Sequence, residues 1–192
     1  MIFESHAHYD DEAFDEDREE LLNSMRENGI EYVVNVCAAA DGLEKTLELT
    51  EKYPFVYGAV GVHPDDAGKM NEEILQRIQE YCRLDKVVAV GEIGLDYYWD
   101  KESHEIQKKW FEAQMEVARS ERLPFIIHSR EAAQDTLTMM KGLRAAEMSG
   151  GVIHCFSYSK EMAKEYLDMG LYIGIGGVVT FKNAKKLKEV AE

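Results

Sequence analysis

The chain has 192 residues, 45% of hydrophobic and 31% of charged types, a globular mix that excludes a disordered chain, a collagen and a coiled coil. Lys plus Arg number 22 against 37 Asp plus Glu, a formal charge of −15 that offers no basic surface for nucleic acid. The longest apolar runs, such as 87–90 and 125–127, are far too short to span a bilayer, and the opening Met1-Ile2-Phe3-Glu4-Ser5-His6 lacks the basic and apolar regions of a leader. Neither a membrane association nor a signal peptide is expected.

Strand and helix patterns alternate along the chain. Residues 2–8 form a short extended run, and 15–28 read as an amphipathic helix closed by Gly29. Strands are expected over 32–37, 55–62, 86–91, 124–128, 151–155 and 171–175, each apolar and mostly β-branched. Helices are expected over 42–53, 71–84 (capped by Asn71), 103–122, 130–148 and 159–169, with a last one starting near 183. Seven β–α units with near-continuous apolar strands suit a parallel sheet buried on both faces. The class is α/β, either an open doubly wound sheet or a (β/α) barrel of TIM type one unit short of eight, in a single domain over 1–192.

Cys37, Cys82 and Cys155 are odd in number, widely spaced and without a C-x-x-C, so no disulfide framework or zinc ribbon follows. A reducing cytoplasm is the expected compartment.

The histidines carry the chemistry. His6 and His8 stand two apart at the end of the first strand, so both rings face one side and can reach one metal ion. His63, His128 and His154 each close a later strand, and Glu92 follows another. In a parallel α/β fold these ends share one rim, where active sites sit. Imidazole and carboxylate are ligands for zinc and, where carboxylate-rich, for manganese or magnesium. His104 lies in a helix and reads as a surface residue.

Other positions stay open between two roles. Glu4 shares parity with His6 and His8 and either orients a ligand or is a rim carboxylate. His63 contacts phosphate or caps a turn; Asp96 touches the site or caps the turn before Tyr97. Arg130 meets a phosphate bidentately or forms a rim salt bridge. The stretch Gly174-Ile175-Gly176-Gly177 either binds phosphate or permits tight packing. Tyr97, Tyr98 and Trp99 stack on bases or pack on a helix. Cys155, of opposite parity to His154, is expected in the core.

Ser5-His6-Ala7-His8, Gly61-Val62-His63-Pro64, Gly91-Glu92-Ile93-Gly94-Leu95-Asp96-Tyr97, Ile127-His128-Ser129-Arg130, Ile153-His154-Cys155-Phe156-Ser157 and Gly176-Gly177-Val178-Val179-Thr180-Phe181 occur in that order. Together, across the whole chain, they resemble the TatD family of metal-dependent deoxyribonucleases, in the amidohydrolase-like TIM-barrel group. The resemblance implies a two-metal centre: His6 and His8 hold the first ion, Glu92 bridges, and His128 and His154 hold the second. Zinc, magnesium, manganese or nickel would serve. It further implies cleavage of DNA or another phosphodiester by metal-bound hydroxide, with Glu92, His63 and Arg130 as catalytic residues. Related barrels cleave amides, lactones and esters, often with a carbamylated lysine where this chain has Glu92; such a hydrolase is the alternative, as is an inactive metal-binding fragment. Family members continue into an eighth strand whose Glu-Thr-Asp-x-Pro motif completes the first metal site, whereas this sequence ends at Glu192. Open edges on strands one and seven would then invite a homodimer, or the chain is a piece of a longer product.

Overall fold

The valine- and isoleucine-rich runs become strands in the computed structural model, which describes residues 1–99 and 101–192. In chain order the elements are β1 (Ile2–Ala7), α1 (Arg18–Ser24), β2 (Ile30–Val36), α2 (Leu43–Lys52), β3 (Val56–Val60), α3 (Glu72–Tyr81) and β4 (Val87–Asp96). They continue as α4 (His104–Glu121), β5 (Phe125–Arg130), α5 (Ala133–Gly142), β6 (Gly151–Ile153), α6 (Lys160–Asp168), β7 (Tyr172–Ile173) and α7 (Lys185–Ala191). Every neighbouring pair of strands is parallel, and the sheet order is the chain order, β1 to β7. A doubly wound sheet reverses its order at a switch point, and this one does not, so the winding is that of a TIM-type barrel. The sheet curls without closing, with β1 and β7 as its edges.

Three apolar clusters hold it together. Leu22 and Met25 of α1 and Leu49 of α2 pack on Val33 and Val56, on the outer face of β2 and β3. The largest cluster sets Trp110, Phe111, Met115 and Ala118 of α4, with residues of α5 and α6, against β3 to β6. Val34, Val36, Ala59, Ala89 and Ile126 pack with strand residues alone and so line the inner face. No helix among the described residues is long and apolar enough to cross a membrane.

Several boundaries differ from the sequence expectation. The helix expected over 15–28 is restricted to Arg18–Ser24, preceded by a 3-10 turn at Glu12–Phe14 that the Asp11 side chain caps at the Ala13 N–H. Five acids among residues 10–16 repel one another and favour turns over helix interior. The helix expected over 130–148 ends at Gly142, and Arg144 then takes a left-handed φ of 52° before a 3-10 turn at Ala145–Glu147. β7 is only Tyr172–Ile173, because glycines follow. β4 runs through Asp96, placing Glu92 inside the strand rather than after it.

Candidate metal centre

Curling the sheet brings the ends of β1, β3, β5 and β6 and the middle of β4 to one cavity of about 590 Å³, lined by His8, His63, Glu92, His128, Arg130 and His154 among others. Glu92 is its centre, only 4% exposed. One oxygen, Oε2, lies 3.2 Å from His6 Nε2 and 3.6 Å from His8 Nε2. The other, Oε1, lies 3.0 Å from His128 Nδ1. The carboxylate therefore divides its two oxygens between two sets of histidines.

The ring nitrogens are oriented from behind. His8 Nδ1 donates to the carbonyl of Val36 at 2.7 Å, which leaves the Nε2 lone pair facing Glu92 and His6. His6 Nε2 is 3.2 Å from His8 Nε2, and His6 Nδ1 is buried without a hydrogen-bond partner among the described residues. His128 Nε2 lies 2.9 Å from Asp96 Oδ2, so a buried carboxylate fixes that ring. His63 Nδ1 accepts from the Asp65 N–H at 3.2 Å, and its ring lies 4.1 Å from the His128 ring. His154 stacks on His6, ring centroids 3.4 Å apart.

Burial pushes the Glu92 carboxyl up, but hydrogen bonds from His128 and His6 outweigh it and hold the group well below the usual carboxylate range. Burial works against His128 as well, yet Glu92 and Asp96 raise it above the ordinary imidazole value. His63 falls to about 4, chiefly from burial and then from the charge of His128. His154 also falls to about 4, from burial and then from His6. Both are neutral near pH 7, the form in which imidazole binds metal.

Two donor triplets have ligand atoms within 4.8 Å of one another: His6, His8 and Glu92, and His63, Asp96 and His128. This borderline-to-hard nitrogen and oxygen chemistry fits zinc, manganese or a similar divalent ion. His154 joins neither triplet among the described residues, although it lines the same cavity.

Some anchors were not read from the sequence. Gln107 and Gln114, seven residues apart on α4 and each 1% exposed, clamp strand ends by their amides. Gln114 accepts from the Val62 N–H at 2.7 Å and donates to the Val62 carbonyl at 3.1 Å, just before His63. Gln107 accepts from the Asp96 N–H at 2.8 Å and donates to its carbonyl at 2.9 Å. Their signal was a glutamine pair at helical spacing on the apolar stripe of α4. Buried Asn35 is a third anchor, binding the Tyr9 N–H and the Asp10 carboxylate beside His8.

The dual readings resolve residue by residue. Glu4 accepts the His6 backbone N–H at 3.2 Å. His63 both caps a turn and lines the cavity. Asp96 both meets His128 and accepts the Tyr98 and Trp99 N–H groups at 2.9 Å each. Arg130 forms no salt bridge with any described residue and instead lies over the Tyr98 ring, 3.9 Å from its centroid. Tyr97 packs on His104, ring centroids 3.5 Å apart, whereas Tyr98 and Trp99 remain 54% and 57% exposed. A Cβ on Gly176 would come within 2.8 Å of Cys155 Sγ, in keeping with the tight-packing reading of that glycine. Cys155 is a correction: it is exposed and lines the cavity, because β6 ends at Ile153 and Cys155 adopts a φ of 44°, so strand parity no longer applies. His104 is exposed, as expected.

The sequence profile of the family described as TatD related DNase matches residues 3–192. The uncharacterized metal-dependent hydrolase YabD of Bacillus subtilis (strain 168) is 44% identical over 192 residues, spanning 100% of this chain and 75% of that protein. The 3'-5' ssDNA/RNA exonuclease TatD of Rahnella sp. (strain Y9602) is 31% identical over 179 residues, 93% of this chain and 68% of the relative. The crystal structure of YjjV, a TatD homologue from Escherichia coli K12, superposes with a TM-score of 0.90 at 32% identity, covering 98% of this chain and 73% of that one.

Proposed function

We propose that this chain, which belongs to the TatD family of metal-dependent hydrolases, cleaves phosphodiesters, with DNA as the leading substrate class, through two divalent ions bridged by Glu92. The observation that carries the reading is the division of the Glu92 oxygens, Oε2 toward His6 and His8 and Oε1 toward His128. His6, His8 and Glu92 would hold one ion; Glu92, His128 and His154 would hold the other. When bound, such a pair stabilises the attacking and leaving oxygens of a phosphodiester and lowers the pKa of water. Zinc, magnesium, manganese and nickel remain the ions to test.

The protein's own groups do the rest. Val36 and Asp96 fix the rings of His8 and His128 so that Nε2 of the first and Nδ1 of the second face Glu92. His63, with Nδ1 already accepting from Asp65, is left with Nε2–H to donate to a phosphate oxygen. Arg130 lines the cavity with no carboxylate partner among the described residues, an unusual state in a chain of charge −15. Its guanidinium supports an anionic substrate over a neutral amide or ester. Lys182, Lys185, Lys186 and Lys188 add a local basic segment that the overall charge concealed. Ser157 and Val178 line both the central cavity and the hollow beside Lys185 and Lys186, which supports a continuous path for a polyanion. The name of the Rahnella relative, an exonuclease of single-stranded DNA and RNA, supports the same substrate class.

Hydrolysis of a single-stranded oligodeoxynucleotide, a phosphate monoester, a lactone and an N-acyl amino acid, each with and without manganese or zinc, tests the reading. Metal-dependent cleavage of the oligonucleotide is expected; turnover of the lactone or amide alone would overturn it. Three free cysteines support a reducing cytoplasm.

A further inference from the structure

We propose that Tyr98 and Trp99 form a stacking platform for a nucleobase next to the scissile phosphate, joined to that phosphate by Arg130; this rests on the phosphodiesterase reading above. Large aromatic side chains are ordinarily mostly buried, yet these two neighbours leave more than half their surface in solvent, beside Arg130 of the cavity wall. They are nonetheless held in place. Asp96 Oδ1 accepts both of their backbone N–H groups at 2.9 Å, while Asp96 Oδ2 meets His128. One buried carboxylate thus ties the aromatic turn to a residue of the metal centre.

Arg130 completes the arrangement. It pairs with Asp96 in the β4–β5 register, and its guanidinium lies 3.9 Å from the Tyr98 centroid and 5.6 Å from that of Trp99. Stacking occupies the faces of a guanidinium and leaves its in-plane N–H groups free for phosphate oxygens. The two rings stand 5.0 Å apart at 84°, an edge-to-face pair whose exposed faces suit a flat heterocycle. Every base has such a face, so the platform takes any base that is not already stacked within a duplex. A nucleotide with its base on the platform and its phosphate on Arg130 would place that phosphate in the cavity that Arg130, His128 and Glu92 line.

The test compares a short thymidylate strand with a strand of equal length containing abasic residues, both supplied with manganese. Wild-type kcat/KM is expected to favour the normal strand by about five- to 150-fold, the range for stacking one base. Trp99→Ala and Tyr98→Ala should each shrink that ratio, and Trp99→Phe should restore most of it. In EDTA, the normal strand should quench tryptophan emission and the abasic strand should not, and the quench should survive Trp110→Phe, since Trp110 is 7% exposed. Equal cleavage of both strands, or a ratio unchanged in Trp99→Ala and Tyr98→Ala, would overturn the platform and leave the phosphodiesterase reading standing. No cleavage of either strand with any divalent ion would overturn that reading and the platform with it.

Discussion

Replacing Gln114 by leucine asks whether the amide clamp of α4 holds the end of β3. Gln114 and Val62 are 1% and 2% exposed, so water cannot take over the bonds. The substitution removes the acceptor 2.7 Å from the Val62 nitrogen and the donor 3.1 Å from its carbonyl oxygen. Each buried backbone group left unsatisfied costs about 1–3 kcal/mol, so the pair costs about 2–6 kcal/mol. The apolar side chain gives back about 1–2 kcal/mol by shedding a buried amide, for a net loss centred on about 2.5 kcal/mol. With a urea slope of about 2 kcal/mol per molar, the unfolding midpoint should fall by about 1 M. His63 follows Val62 directly, so hydrolysis measured well below the midpoint should fall too. A midpoint within about 0.3 M of wild type, resolved against that slope, would refute the assignment of Gln114 as a clamp.

Gly94→Ala should destabilise by about 2–5 kcal/mol, since φ is +141° and a Cβ there would collide with the His128 carbonyl oxygen. Gly29→Ala, at φ +79° with nothing within 4 Å, should lose only the backbone strain; equal losses in urea melts would deny the steric role of β5. The metal-stripped protein should melt highest near neutral pH. His63 and His154, lowered to about 4 from 6.5, bind fewer protons folded than unfolded between those values, so stability falls as pH drops from 6.5 to 4. His128 is raised, so its contribution, full below 6.5, is lost as pH rises through its folded value. A melting temperature that is flat between pH 4 and 6.5, or that rises steadily on the alkaline side, would contradict these assignments.

Much of the fold was legible because each buried parallel strand announces itself as a short β-branched run. Val33 to Val36 and Phe125 to Ile127 are typical, and their helices carry apolar stripes. What the runs left open, doubly wound sheet or barrel, depends on which strands pair, a non-local choice that the resemblance to the TatD family supplied. Boundaries failed where local chemistry competes, as with the repelling acids before Arg18 and the left-handed Arg144. Glu92 was expected just past a strand because Gly91 looked like its end, but β4 continues through Gly94, whose missing side chain lets β5 approach. The histidines of the centre were legible because each lies at or near the C-terminal end of a strand, and parallel strands bring those ends to one rim. Hidden anchors such as Gln107, Gln114 and the Val36 carbonyl act through the backbone, where identity alone says little. Cys155 was misplaced because parity was carried one turn beyond the strand.

The central claim is that Glu92 joins two metal ions. The direct measurement is elemental analysis of the protein after equilibration with zinc or manganese and gel filtration, beside Glu92→Gln, His6→Ala and His154→Ala. The account predicts about two ions per wild-type chain, about one in each histidine variant and close to none in Glu92→Gln, because both sites share that carboxylate. A wild-type chain that emerges without metal, or a Glu92→Gln variant that keeps its full complement, would contradict it.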